Sequence, residues 1–252
     1  MSTFAGSLRQ PAGGVDGGAS SRRLADLIFR AREFGIIAVL IVFVAVTTSV
    51  QPRFVNSQNI KFIFSNAVIF ALLAMGETLV VVARHIDISV GSVLGLSAYL
   101  SAHLFSQVSG MPIVGVFAVG LAIGLGCGAV NGAIVAIARV PSLVVTLATL
   151  YIYRALDVII VGGGMVVAST LPNSFLAIPS SSWSELSSVP YLAMVIAALV
   201  AFTAYCLRSF RSGRELYAIG SNPDAALLAG IPTGKRVFTA FVLSGGVAGI
   251  AG

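Results

Sequence analysis

The chain has 252 residues, 57% of them hydrophobic and only 10% charged, with a mean hydropathy of +0.99. A soluble domain carries about 45–50% apolar and about 25% charged residues, so this composition excludes a soluble enzyme and a nucleic-acid binder. The net charge of +6 then bears on membrane topology, and Cys127 and Cys206, both in apolar surroundings, are too few for a disulfide scaffold or a metal site.

The class implied is all-α, a polytopic transmembrane helix bundle with six to seven spans and a cytoplasmic N-terminus. Residues 1–33 are rich in Gly, Ser and Ala (PAGGVDGGAS) and end in Arg22, Arg23, Arg30 and Arg32. Such a stretch cannot bury a core and reads as a mobile cytoplasmic tail. Residues 34–252 form the transmembrane domain. Its first apolar run, Phe34 to Val50, is no cleaved signal, because the preceding tail is long and no small-x-small site follows Val50. Further spans run from about Phe62 to Ala83, Val93 to Val108, Pro112 to Ala138, Ser142 to Val161 and Val189 to Leu207. A seventh begins near Val237 and reaches Gly252. It falls short of the ~20 residues a crossing helix needs, so the expectation is a chain truncated at its C-terminus or a helix that enters without crossing.

Charge fixes the orientation. With the N-terminus inside, the inner segments hold Arg9, Arg22, Arg23, Arg30, Arg32, Arg84, Arg139, Arg208, Arg211, Arg214, Lys235 and Arg236, against Arg53 and Lys61 outside. This is a strong positive-inside bias. The loop from about Gly162 to Pro190 then faces outside, and residues 208–236 form a cytoplasmic loop.

That loop spells a short capped helix. Asn222 suits the N-cap, Pro223 the first helical position and Asp224 the positive helix end, while Gly230 supplies a left-handed stop. Leu227 and Leu228 give so short a helix a reason to dock, either on its own membrane domain or on a cytoplasmic partner. Gly230 to Arg236 is not a P-loop. Only three residues separate its glycines, and Arg follows the Lys.

Three stretches carry a resemblance: GRELYAIGSNPDAALLAGI in the loop, HIDISVGS from His85 to Ser92, and PSLVVTLATLYIYR from Pro141 to Arg154. The chain resembles bacterial ABC-importer permeases of the ribose/xylose/rhamnose class, with matches from roughly Asn66 to Gly252. Two departures are Ala155, where the family often has Gly, and Arg84-His85, where many members have Gly-Gly. The second leans toward the rhamnose or autoinducer-2 branches. The resemblance implies a permease that forms a pair with itself or a paralogue, two ATPase subunits on its coupling loops and a periplasmic sugar-binding protein. It implies no enzymatic activity and no cofactor bound by this chain, ATP being used by the partner. The coupling residues it suggests are Glu215, Ala218, Gly220, Asn222, Asp224, Ala225 and Gly230, with Gly220 as a turn before the helix and the alanines as a flat docking surface.

Ionisable groups inside spans are costly and need partners. Glu77 lies about two turns from the inner end of its span and calls for a bundle-facing partner. Asp87 and Ser89 precede the next apolar run, either as caps for its free amides or as part of a broken-helix substrate site with Gly91 and Ser92. Arg154 and Asp157, three apart, share a face and are expected to pair. Asn131, His103, Thr146 and Thr149 are lone polar groups of the kind that bond to a neighbouring helix. Together with the resemblance, Asp87, Ser89, Gly91, Ser92, Asn131, Thr146, Thr149 and Arg154 mark the expected substrate pathway. Gly120, Gly124, Gly128 and Gly132 recur every four residues as a packing stripe, echoed by Gly91 with Gly95 and Gly245 with Gly249. The competing reading is an ion-coupled secondary transporter using Glu77, Asp87 or the Arg154–Asp157 pair. A membrane-embedded enzyme lacks any converging nucleophile, base and metal ligands.

Overall fold

The computed structural model describes residues 17–108, 110–162, 164, 166–167, 169, 171–176 and 191–252, with side chains from residue 34 onward except at 161, 173 and 174. Residues 1–56 and 57–252 are two units. In the first, α1 (Gly17–Val50) is followed by a 3₁₀ turn at Pro52–Val55. Thr47, Thr48 and Ser49 each donate to the carbonyl four residues earlier, at 2.8, 2.7 and 2.8 Å, so the polar end of the helix satisfies itself. Within the segment expected as a tail, residues 17–33 are helical and continuous with the first apolar run. The Gly/Ser-rich composition ends at Ser21, and RRLADLIFRAREF beyond it consists largely of good helix formers. Residues 1–16 of that expected tail lie outside the described residues.

The regular elements of the second unit are all helices among its described residues. Its elements are α2 (Ser57–Val82), α3 (Val90–Gln107), α4 (Ile113–Ala136), α5 (Ser142–Val161), a short α6 (Asn173–Leu176), α7 (Tyr191–Ser209), α8 (Arg211–Ser221), α9 (Pro223–Leu228) and α10 (Thr233–Ala251). Of these, α2, α4, α5 and α7 are long and apolar enough to cross a membrane by themselves. By contrast, α3 and α10 carry buried Ser92, Ser97 and Ser101, and Ser244, and pack against other helices of the bundle. Most of the expected outer loop, 162–190, lies outside the described residues.

The most intimate packing joins α4 to α10. A β-carbon on Gly124 would overlap the Gly245 carbonyl oxygen, one on Gly128 the Phe241 carbonyl oxygen, and one on Gly249 the Gly120 carbonyl oxygen. Gly132 faces the Phe238 carbonyl oxygen, which its β-carbon would meet at 3.0 Å. The four-residue spacing therefore sets backbone against backbone, the approach that only glycine permits. Gly91 and Gly95 do not repeat this seam. A β-carbon on Gly91 meets nothing within 4 Å, and one on Gly95 meets only an Asp157 carboxylate oxygen at 4.0 Å.

Beneath the seam, a cluster of Val80, Val135, Leu216, Ile219, Val237 and Phe241 ties the inner ends of α2, α4 and α10 to α8. Helices α8 and α9 are thus part of the folded body and not a loose connector.

Candidate functional site

The chain turns back on itself between α2 and α3. Arg84 takes φ +66° and ends α2, with the Arg84 and His85 amides donating to the Val81 and Val80 carbonyls at 2.9 and 3.1 Å. This is a left-handed stop built on a non-glycine residue, placed where the resemblance expects glycine. The following residues run back along α2, so the Asp87 amide donates to Glu77 Oε1 at 3.0 Å. Glu77 therefore has the bundle-facing partner its position demands, although its Oε2 is buried without one.

Asp87 Oδ1 accepts from the Ser89 amide at 2.9 Å and from the Ser89 hydroxyl at 2.6 Å. Asn131 on α4 donates through Nδ2 to Ser89 Oγ at 2.8 Å. Tyr153 on α5 lies 3.0 Å from the Cys127 carbonyl and 3.2 Å from Asn131 Oδ1 through its hydroxyl. Thr146 reaches the Ile86 carbonyl at 3.3 Å, and Ser142 Oγ accepts the Ile86 amide at 3.2 Å. An irregular segment at membrane depth leaves backbone groups without helical partners, and these side chains supply them. Asp87 serves the amide of Ser89, the residue before α3, within a non-helical break bonded to neighbouring helices, while no side chain caps the first turn of α3 itself.

Several expected pathway residues thus gather at one place. Asp87, Ser89 and Asn131 join directly, Thr146 meets the same segment at the Ile86 carbonyl, and Thr149 bonds within its own helix to the Thr146 carbonyl at 3.3 Å. Ser92 is buried on the first turn of α3, and Gly91 is exposed beside open space. Arg154 stands apart, exposed on α5, and forms no ion pair with Asp157. That expected pair is corrected: Asp157 leans toward Gly95 on α3, its Oδ1 buried without a hydrogen-bond partner, while Arg154 points elsewhere. Sequence reading missed Tyr153 and Ser142. Both continue the row through Thr146 and Thr149 at three- and four-residue spacing, which marks one helix face.

The loop over residues 208–236 folds around two helices, α8 and α9. Asn222 Oδ1 accepts from the Asp224 and Ala225 amides at 3.1 and 3.0 Å, capping α9. Gly230 takes φ +78°, with its own amide and that of Ile231 donating to the Leu227 and Ala226 carbonyls at 3.0 and 3.0 Å. Ala226 is buried, whereas Leu227 and Leu228 stay 62% and 90% exposed. Ala225 is exposed and Ala218 half-buried.

Gly220 is not a turn. It lies inside α8 where that helix crosses the end of α2, and a β-carbon there would overlap the Val82 carbonyl oxygen. Glu215 is no docking residue by exposure either. Arg211 Nε reaches its Oε1 at 2.7 Å and Arg236 Nε its Oε2 at 2.5 Å, fastening α8 to the first turn of α10. The hydrogen bonds from Arg211 and then Arg236 hold the Glu215 carboxyl below the usual carboxylate range.

The family described as "Branched-chain amino acid transport system / permease component" matches residues 59–252, which include both the polar break and the loop. The chain belongs to this permease family. It is a multi-pass protein of the bacterial inner membrane. The autoinducer 2 import system permease protein LsrC of Enterobacter sp. (strain 638) is 33% identical over 89% of the chain and 64% of its own length. The proteins of the same description from Shigella flexneri and Photorhabdus luminescens are 34% and 32% identical, over 86% and 90% of the chain. The chain spans 61 to 66% of the length of these curated relatives. No solved structure matches it.

Proposed function

We propose that the permease is the membrane-spanning subunit of an ABC importer for a small sugar-type solute. The named relatives favour the autoinducer-2 branch over rhamnose as the guide to that solute. In this reading two ATPase subunits bind and hydrolyse ATP, and the chain itself binds no nucleotide. A second permease subunit completes the pathway and a periplasmic binding protein delivers the solute. The observation that carries the reading is α9, a helix capped at both ends that holds Leu228 90% exposed on the cytoplasmic side. An isolated helix of that length is marginal in water, so its order comes from α8 and from Ala226 packed beneath it. Two leucines on such a mount form an anchor for a hydrophobic pocket in a partner.

The test is uptake of labelled solute by cells carrying Leu228→Glu. The change leaves folding within about 0.5 kcal/mol, as for an exposed site. It weakens partner docking by about 2 kcal/mol or more, roughly 30-fold. Uptake is expected to fall with this variant and with ATP depletion, and to survive an uncoupler. Uptake that ignores Leu228→Glu and collapses with the uncoupler alone would overturn the proposal in favour of ion-coupled transport.

A further inference from the structure

One cavity is separate from both the polar break and α9. It has a volume of about 320 Å³ and opens between α7 and α10 over α2, with α8 at its cytoplasmic end. Its walls are apolar along most of their length: Met75 and Leu79 from α2, Phe202 from α7, Leu243 and Val247 from α10. Thr203 there turns its hydroxyl to the Met75 sulfur at 3.2 Å, which leaves the wall oily. Ser212, Arg236 and Thr239 line the cytoplasmic end, so the cavity is polar at one end and apolar at the other.

Its dimensions match one leaflet. From Arg236 to Val247 the α10 wall rises about 16 Å at ~1.5 Å per residue, close to half of a ~30 Å hydrocarbon core. Spread over that length, the volume gives a mean cross-section of about 20 Å². A single extended chain of methylenes is slender enough to lie along a slot of that length.

Charge selects the head that goes with that tail. Arg208, Arg211, Arg214, Lys235 and Arg236 stand in the segments bordering the cytoplasmic end, and residues 208–221 and 231–239 contain one carboxylate, Glu215. Both oxygens of that carboxylate are already engaged, by Arg211 and Arg236. Arg236 is the cation that lines the slot, and with Arg211 sharing the same carboxylate the trio keeps one net positive charge at its mouth, the setting in which basic pockets between spans hold anionic lipid heads. We infer that the slot seats one acyl chain of an anionic phospholipid of the inner leaflet, with its phosphate against the basic mouth. The inference rests on the positive-inside orientation and is independent of what drives transport.

The test uses the full chain in phosphatidylcholine vesicles doped with a phosphatidylglycerol that carries a mid-chain diazirine, with adducts mapped by peptide mass spectrometry. Adducts are expected on residues 202–207 and 239–247, displaced by unlabelled phosphatidylglycerol but not by more phosphatidylcholine. Leu243→Trp, at a position 54% exposed and therefore tolerant of size, should fill the slot and abolish those adducts. Lys235→Gln should weaken the competition about fivefold, the effect of one charge at a membrane surface. Two results would overturn the inference: equal displacement by phosphatidylcholine, or adducts spread evenly over the outward helix faces.

Discussion

Replacing Gly124 by alanine tests whether backbone contact holds α4 to α10. The new β-carbon would overlap the Gly245 carbonyl oxygen and stand 2.8 Å from the Gly249 Cα. Carbon pairs settle at about 3.5–4.0 Å, so the two helices must part by roughly 1 Å. A gap of that size forfeits a quarter to a half of the dispersion energy of each contact, at about 0.1–0.2 kcal/mol per atom pair. The loss spreads along the helix to Gly120, Gly128 and Gly132, which share the seam. With the accompanying strain, the expected destabilisation is about 1–3 kcal/mol, a fall of several degrees in Tm. Gly126→Ala is the matched control, since the same substitution on the same helix meets nothing within 4 Å. Removing an exposed helical glycine should stabilise by up to about 1 kcal/mol. Thermal unfolding of both variants in the same micelles decides the matter. Equal effects at the two sites, or no loss at Gly124, would refute the backbone-contact account.

Asn131→Leu removes a wholly buried amide that joins Ser89 to Tyr153, and should cost about 1–3 kcal/mol against about 1 kcal/mol for Tyr153→Phe; denaturant unfolding of the two variants checks the order. Because the Glu215 carboxyl titrates below its usual range, its contribution is present above about pH 4.3, the unfolded value, and is lost as pH falls through the lower folded value. Amide exchange in α8 should therefore stay slow from neutral pH into the mildly acidic range and quicken only below it, and Glu215→Gln should remove that acid step. Asn222→Ala should cost α9 about 1 kcal/mol, seen as faster exchange at the Asp224 and Ala225 amides with the spans unaffected.

What the sequence disclosed and what it hid divide by the range of the interaction. The spans follow from apolarity, and the α9 cap from residues within one turn of each other, so Asn222 and Gly230 stand where their chemistry puts them. The glycine row on α4 was visible as a stripe, but its partner surface on α10 lies more than a hundred residues away. Gly220 shows the limit. A glycine before a helix reads as a turn, and only the crossing of α8 over Val82 reveals a steric need. Arg154 and Asp157 misled because three-residue spacing allows pairing without requiring it, and Asp157 turns to α3 instead. Tyr153 went unnoticed for the opposite reason. An aromatic residue in an apolar span blends with its neighbours until Asn131 and the Cys127 carbonyl are placed beside its hydroxyl.

The crossing at Gly220 also sets how stiffly the loop meets the bundle. Where side chains separate neighbouring helices, a rotamer change can absorb a small displacement. Between α8 and the end of α2 there is no such cushion, because the chain of one rests on a carbonyl of the other. A push on α8 toward α2 meets steep repulsion at once and passes into the Val82–Arg84 turn. That turn opens the short segment ending at Asp87, whose amide is tied to Glu77. The fold thus places a rigid strut between α8 and the buried polar break, with four residues between Val82 and Asp87.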